Sequence, residues 1–342
     1  MALLTSLLGT VSPLLMGSST LTDGADEFFG DLGALDDVVV TARFREETAD
    51  NIGQTINLFS RNDIEKNQAS SIVDIVRLTP GVDIFERGPG RNKPIIRGVT
   101  SLHDDGDIVQ KASSNTVFFD EVAILDMTGK QGSVPLFDVE RVEVLKGPQP
   151  TYFGEGSVGG SVRFFSHDPH LNEYEVRTRL EAGIIDDGGP VYIADGSINL
   201  PVIPKKAALR LTGFVEDRDG FIDVVGGEQD ANSYRHEGVQ GVFRYEVSDT
   251  ISWRLSGFYQ EQVNDNDQTV TNLEDLSTTL PAPDHQDDKA LLIANKISAT
   301  VGAVTLQSVT GYYDRQYDRQ FIDPESAAYL GSVGVDGYAE AT

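Results

Sequence analysis

Cysteine is absent from all 342 residues, which excludes disulfide bridges and every thiolate metal or iron–sulfur site. No stretch of about 18 consecutive apolar residues occurs, so an ordinary membrane-spanning helix is excluded. A membrane β-barrel, whose strands alternate in polarity, is not. Basic residues are scarce: 27 Lys plus Arg face 54 Asp plus Glu, a net charge of −27. That field repels phosphate backbones and argues against nucleic acid as a partner. Neither a Gly-Xaa-Ser-Xaa-Gly elbow nor a His-Glu-Xaa-Xaa-His pair is present, so hydrolytic chemistry has no positive support and no cofactor is implied. No Lys or Arg precedes Arg43. The apolar residues 2–16, followed by Gly17, Ser18 and Ser19, therefore read either as a signal peptide (1–19) without its basic start or as a merely apolar leader.

What the chain does contain changes character along its length. Residues 17–35 are Ser-, Thr-, Gly- and Asp-rich and bury too little to order themselves. Within the leader (20–43), Val38, Val39, Val40 and Thr41 form a β-branched run suited to extended backbone and to strand addition on a partner's sheet edge. From Ala69 to Leu78, Ile72, Ile75, Val76 and Leu78 fall at helical spacing behind a Ser71/Asp74 capping box, and Thr79-Pro80-Gly81 ends the helix. Strands are expected at Val82–Phe85, Pro94–Gly98, Val117–Leu125, Asp138–Lys146 and Ser161–Phe165, giving a small mixed α/β domain over 44–168. Gly147, Gly154, Gly156, Gly159 and Gly160 read as turn and close-packing positions. A phosphate-binding loop is excluded there, because no Gly-Lys-Ser/Thr follows and the glycines lead into a strand.

Beyond Asp168-Pro169 the helical signal ends and long two-residue alternations take over in residues 169–342, about seven strands in all. In Ile251–Glu261, Trp253, Leu255, Gly257 and Tyr259 share one face, and Ser252, Arg254, Ser256 and Gln260 the other; Phe258 breaks the pattern on the polar face. A lipid-facing barrel and a soluble β-sandwich both produce such alternation. The Tyr313-to-Gln320 repeat reads as a strand leaving an aromatic girdle for a polar loop, or as a solvated hairpin. The acidic residues 263–288 read as a long loop without the Asp-Xaa-Asp-Xaa-Asp-Gly order of a calcium site. His167-Asp168-Pro169-His170 reads as a hinge, and His103 with Asp104, Asp105 and Asp107 as an exposed loop; no metal is assigned to either.

Several segments, in order, resemble the TonB-dependent outer-membrane receptor family. Asp37-Val38-Val39-Val40-Thr41-Ala42 resembles the TonB box. Ser71–Val82 is similar to the family's plug helix and Pro-Gly exit, and Ile95-Ile96-Arg97-Gly98-Val99 to its Ile-Arg-Gly strand. Val117–Val122 is similar to the following strand-turn-strand, with Glu121 where Gly is common. Asp138–Gln149 resembles the family signature Glu-Arg-Val-Glu-Val-Leu-Arg-Gly-Pro-Gln, with Lys146 in place of Arg and, just beyond it, Pro150 in place of Gly. The resemblance implies an α+β plug domain followed by antiparallel transmembrane β-barrel strands in an incomplete barrel, since the family's barrel has about 22 strands. It further implies active transport of a scarce nutrient (an iron chelate such as a siderophore, cobalamin or a saccharide) across the outer membrane of a Gram-negative bacterium. The implied partners are a TonB-type energy-transducing protein, outer-membrane lipid and a small-molecule or metal-chelate ligand. Asp37 to Ala42 would bind the energy-transducing partner. Arg97, Arg141, Glu143 and Lys146 would make plug–barrel contacts, Gly98, Gly147, Gly154, Gly159 and Gly160 would shape the plug, and His103 would face substrate. The reading from another class is a passive surface-binding or adhesion protein whose C-terminal half is a β-sandwich.

Overall fold

The computed structural model describes residues 39–40, 47–48, 55–85, 92–99, 115–124, 133–134, 136–148, 157–265, 270, 272, 276–278 and 285–320. Val39–Val40 (β1) pairs antiparallel with Glu47–Thr48 (β2), so the two central valines of the leader do form extended, hydrogen-bonded backbone.

The first layered unit begins at Thr55–Ser60 (β3). Ser60 then caps Arg61–Lys66 (α1): the Asp63 carboxylate accepts from the Ser60 amide at 2.9 Å, and the Asp63 amide donates back to Ser60 Oγ at 3.3 Å. The sequence reading missed both elements. The helix expected over Ala69–Leu78 is Ile72–Arg77 (α2), and the Asp74 carboxylate accepts from the Ser71 amide at 3.1 Å as the capping pattern requires. Val82–Phe85 (β4) and Lys93–Ile96 (β5) make a hairpin beside it.

The segment expected as one strand over Val117–Leu125 is two, Asn115–Phe119 (β6) and Val122–Ile124 (β7). The hairpin loop is Asp120–Glu121, with positive φ at both residues (46° and 70°), the type I′ geometry that right-twisted strands favour. Val139–Lys146 (β8) and Gly160–Ser166 (β9) complete a five-stranded sheet ordered β3-β8-β9-β6-β7, in which only β6 and β9 run parallel. Ile64, Ile72, Ile75 and Val76 from the helices are buried, in one core with Val142, Val144, Val162 and Phe164 of the sheet.

The second unit is a single seven-stranded antiparallel sheet in strict chain order. Its strands are Glu175–Ile184 (β10), Pro190–Ile203 (β11), Ala207–Arg218 (β12), Tyr234–Ser248 (β14), Ile251–Asn264 (β15), His285–Val301 (β17) and Val304–Gln320 (β18). Two short strands, Asp223–Val224 (β13) and Ser277–Thr278 (β16), pair in parallel and tie the β12–β14 loop to the β15–β17 loop. The acidic segment 263–288 is therefore partly strand at both ends and at β16. The Tyr313-to-Gln320 repeat lies wholly within β18, neither a polar loop nor a separate hairpin.

Up-and-down order in one sheet is the pattern of a barrel wall, and the expectation of a β-sandwich fails: no second sheet faces it among the described residues. One face carries Val176, Leu180, Tyr192, Leu211, Val239, Tyr259 and Ile293, all exposed; the other carries Arg177, Asp195, Asn199, Arg210, His236 and Gln260. Apolar-out, polar-in alternation with short turns at one end and the long β12–β14 and β15–β17 loops at the other defines a transmembrane wall. Among the described residues no helix is long and apolar enough to cross a membrane.

Candidate functional site

The site is the surface where the small domain meets the inner face of the wall. Its centre is apolar. Phe258, the one aromatic on the polar face of its strand, meets Phe119 of the plug edge-on, with ring centroids 5.1 Å apart and planes at 88°. Ala290, Leu292 and Ala294 from β17 belong to the same buried cluster, so the wall closes the small domain's own core.

Two buried ionic nodes flank that contact. Asp138, just before β8, accepts both guanidinium nitrogens of Arg210 on β12, each at 2.7 Å, together with Thr212 Oγ1 at 2.6 Å and Arg61 Nη2 at 3.0 Å. Arg210 also reaches Glu175 at 2.8 Å and Ser197 at 3.1 Å. In the β6–β7 turn, Asp120 pairs with Arg254 of β15 at 3.1 Å; the same guanidinium bonds Ser166 Oγ at 2.6 Å and Asp168 at 2.7 Å. Burial alone would raise the pKa of Asp120, but Arg254 with the Ser166 and Ser256 hydroxyls holds it below its ordinary value. For Asp138 burial is likewise outweighed, here by the bonds and charge of Arg210, with Thr212 and Arg61 adding to them. Glu121 makes a third contact across the interface, accepting from Lys296 Nζ at 3.1 Å. A left-handed residue with a side chain costs about 1 kcal/mol, and this ion pair is what glutamate gains where glycine is common.

Across this described interface, wall cations meet plug carboxylates. Arg141 and Glu143 pair with each other at 2.9 Å, Glu143 also takes buried Arg163 at 2.9 Å, and both guanidinium groups lie over Phe165, at 3.8 and 4.7 Å. Lys146 donates to the Pro80 carbonyl, a single bond where an arginine would offer a fork. Arg97 holds φ 52° with its amide on the Gly81 carbonyl at 3.0 Å, and its guanidinium lies beside Gly147. Both cations sit at the end of the sheet away from the connector.

Gly160 holds φ +153°, and a Cβ there would stand 2.2 Å from the Leu145 carbonyl oxygen; at Gly159 it would meet Asn115 Oδ1 at 2.3 Å. Gly98 and Gly147 have φ of 76° and 111°. Asp37, Val38, Thr41, Ala42, His103, Pro150 and Gly154 lie outside the described residues.

A compact domain seated against the polar face of an up-and-down strand wall is the arrangement of a plug with part of a barrel. Residues 48–161 match the family model of the TonB-dependent Receptor Plug Domain. Over those residues the chain carries a domain similar to the plug of TonB-dependent receptors. Among curated relatives, it is 24% identical over 229 residues to the vitamin B12 transporter BtuB of Vibrio vulnificus, covering 65% of this chain and 35% of that protein. It is 25% identical over 249 residues to BtuB of Photobacterium profundum, covering 71% and 38%. Among solved structures, the ferric yersiniabactin uptake receptor FyuA of Yersinia pestis superposes with a TM-score of 0.65 at 17% identity, covering 79% of this chain and 42% of that one. The ferripyoverdine receptor of Pseudomonas aeruginosa gives 0.60 at 16%, covering 83% and 41%. The chain thus spans just over a third of the length of the curated relatives it matches.

Proposed function

We propose that the chain forms the leader (20–43), the plug (44–168) and the first wall strands (169–342) of an outer-membrane receptor of a Gram-negative bacterium. A TonB-type energy-transducing protein would drive it to take up a scarce small-molecule or metal-chelate nutrient. The observation that carries this reading is the plug–wall interface. Ionic pairs such as Asp138–Arg210 and Asp120–Arg254 hold the plug against the wall, and such contacts can part and re-form without any covalent bond changing. The mechanism then needs a handle. Asp37 to Ala42 is assigned that role, its β1 backbone already extended and able to exchange its short β2 pairing for a partner's sheet edge. Arg97 and Lys146 are assigned to further wall contacts, and Gly154 and His103 keep the plug-shaping and substrate-facing roles expected of them. Cobalamin and ferric siderophores, named for the relatives above, are the substrate classes to try first.

The test is binding of the periplasmic domain of a TonB-type protein to the purified chain in detergent. Val40→Pro deletes a backbone donor that β-addition uses, and should weaken binding about tenfold or more. Absence of binding, or binding indifferent to this substitution and to deletion of 36–42, would favour a passive surface protein.

A further inference from the structure

We propose that the connector between plug and wall holds a divalent transition-metal site built from His167, His170 and Glu175. Each of the three offers one donor atom, and these atoms lie within 4.8 Å of one another. His170 Nε2 and Glu175 Oε2 are 3.9 Å apart, and the two imidazoles pack edge to face at 5.3 Å. Donors about 2.0–2.1 Å from a tetrahedral zinc stand about 3.4 Å apart, so closure asks for a shift of about 1.5 Å. His170, half exposed, has room to turn.

The surroundings supply what such a site needs. Glu140 accepts from His167 Nδ1, the carboxylate–histidine arrangement that fixes a ligating imidazole and leaves Nε2 as the donor. The His170 backbone is fastened to the wall by Asn199, fully buried, which accepts from the His170 amide at 2.9 Å and donates to the His170 carbonyl at 2.9 Å. Arg210 orients the Glu175 carboxylate at 2.8 Å. Three cations stand close: Arg210, Arg61 at 3.4 Å from His167 Nε2, and Arg177 at 3.9 Å from Glu175. Glu140, Glu175, Asp138 and Glu65, which pairs with Arg177, outnumber them, and Arg61 keeps its bond to Asp138 when it yields Nε2. Two imidazoles with one carboxylate select zinc-like ions over calcium or magnesium. A metal here would staple the end of β9, the connector and β10 together, independently of whatever the receptor carries.

Zinc titration by calorimetry, on the full chain purified in detergent and stripped with chelator, tests this. One equivalent should bind. His170→Ala, at an exposed position, should weaken binding more than about tenfold, and Glu140→Gln about 10- to 100-fold through His167 alone. His285→Ala, which alters the separate cluster with Asp265 and Asp287, should leave binding intact. A chain that takes up no stoichiometric zinc, or one whose binding survives His170→Ala and is lost with His285→Ala, would overturn the proposal.

Discussion

Asp138 accepts from Arg210, Thr212 and Arg61 where plug meets wall, and its partner Arg210 is equally hidden: their side chains are 1% and 0% exposed. Removing one member of such a pair strands a buried charge and typically costs about 3–5 kcal/mol. Arg61 and Thr212 still serve Asp138, so Arg210→Met should fall near the lower end, about 3 kcal/mol, read as a shift in the denaturant midpoint of the folded chain. Because Asp120 and Asp138 both titrate below their ordinary value when folded, their contribution is complete above the unfolded carboxylate pKa of ~3.9 and is lost as pH falls through the folded value. Melting temperature should accordingly drop on acidification below about pH 4, and Asp138→Asn should flatten that drop; a rise on acidification in the wild type alone would contradict the assignment. The acids and cations themselves were visible in sequence, Arg254 even on its correct polar face. Their pairing was not, because Asp120 and Arg254 are 134 residues apart and nothing local links them.

At the scale of elements, periodicity was a good guide where one face meets water or lipid and the other does not. The alternation read in Ile251–Glu261 appears as β15, and Val82–Phe85 is β4 as read. α1 escaped because Ile64 is its one buried residue and leaves no apolar periodicity to read, although Ser60-Arg61-Asn62-Asp63 carries the cap that marks it, and β3, directly before that cap, escaped with it. The β6–β7 turn was legible only through the family resemblance, because Asp-Glu is an unusual pair for two successive positive φ values and the compensating Lys296 lies on a distant strand. Phe258, odd on its strand, is explained only by Phe119. Phe258→Ala should therefore cost about 3–5 kcal/mol and loosen the plug more than the wall, so hydrogen exchange in β6 and β7 should rise while that in β11 and β12 stays unchanged.

For the whole molecule, the account depends on the plug being seated against the inner wall, with β7 pressed on β18. Gly311 makes the approach possible, since a Cβ there would lie 3.0 Å from Val122 Cβ and 2.4 Å from Val122 Cγ2. The absence of native cysteine turns this contact into a clean measurement. Val122→Cys with Gly311→Cys places two Cβ atoms 3.0 Å apart, within about 0.5 Å of the disulfide Cβ separation of about 3.5–4.5 Å, and removes the valine methyl groups that would collide. Oxidised mildly in outer membranes and separated on a non-reducing gel, the double variant should run as one cross-linked species that reverts on reduction, whereas Val122→Cys alone should keep its thiol titratable. A double variant that retains both free thiols would contradict a plug held inside this wall.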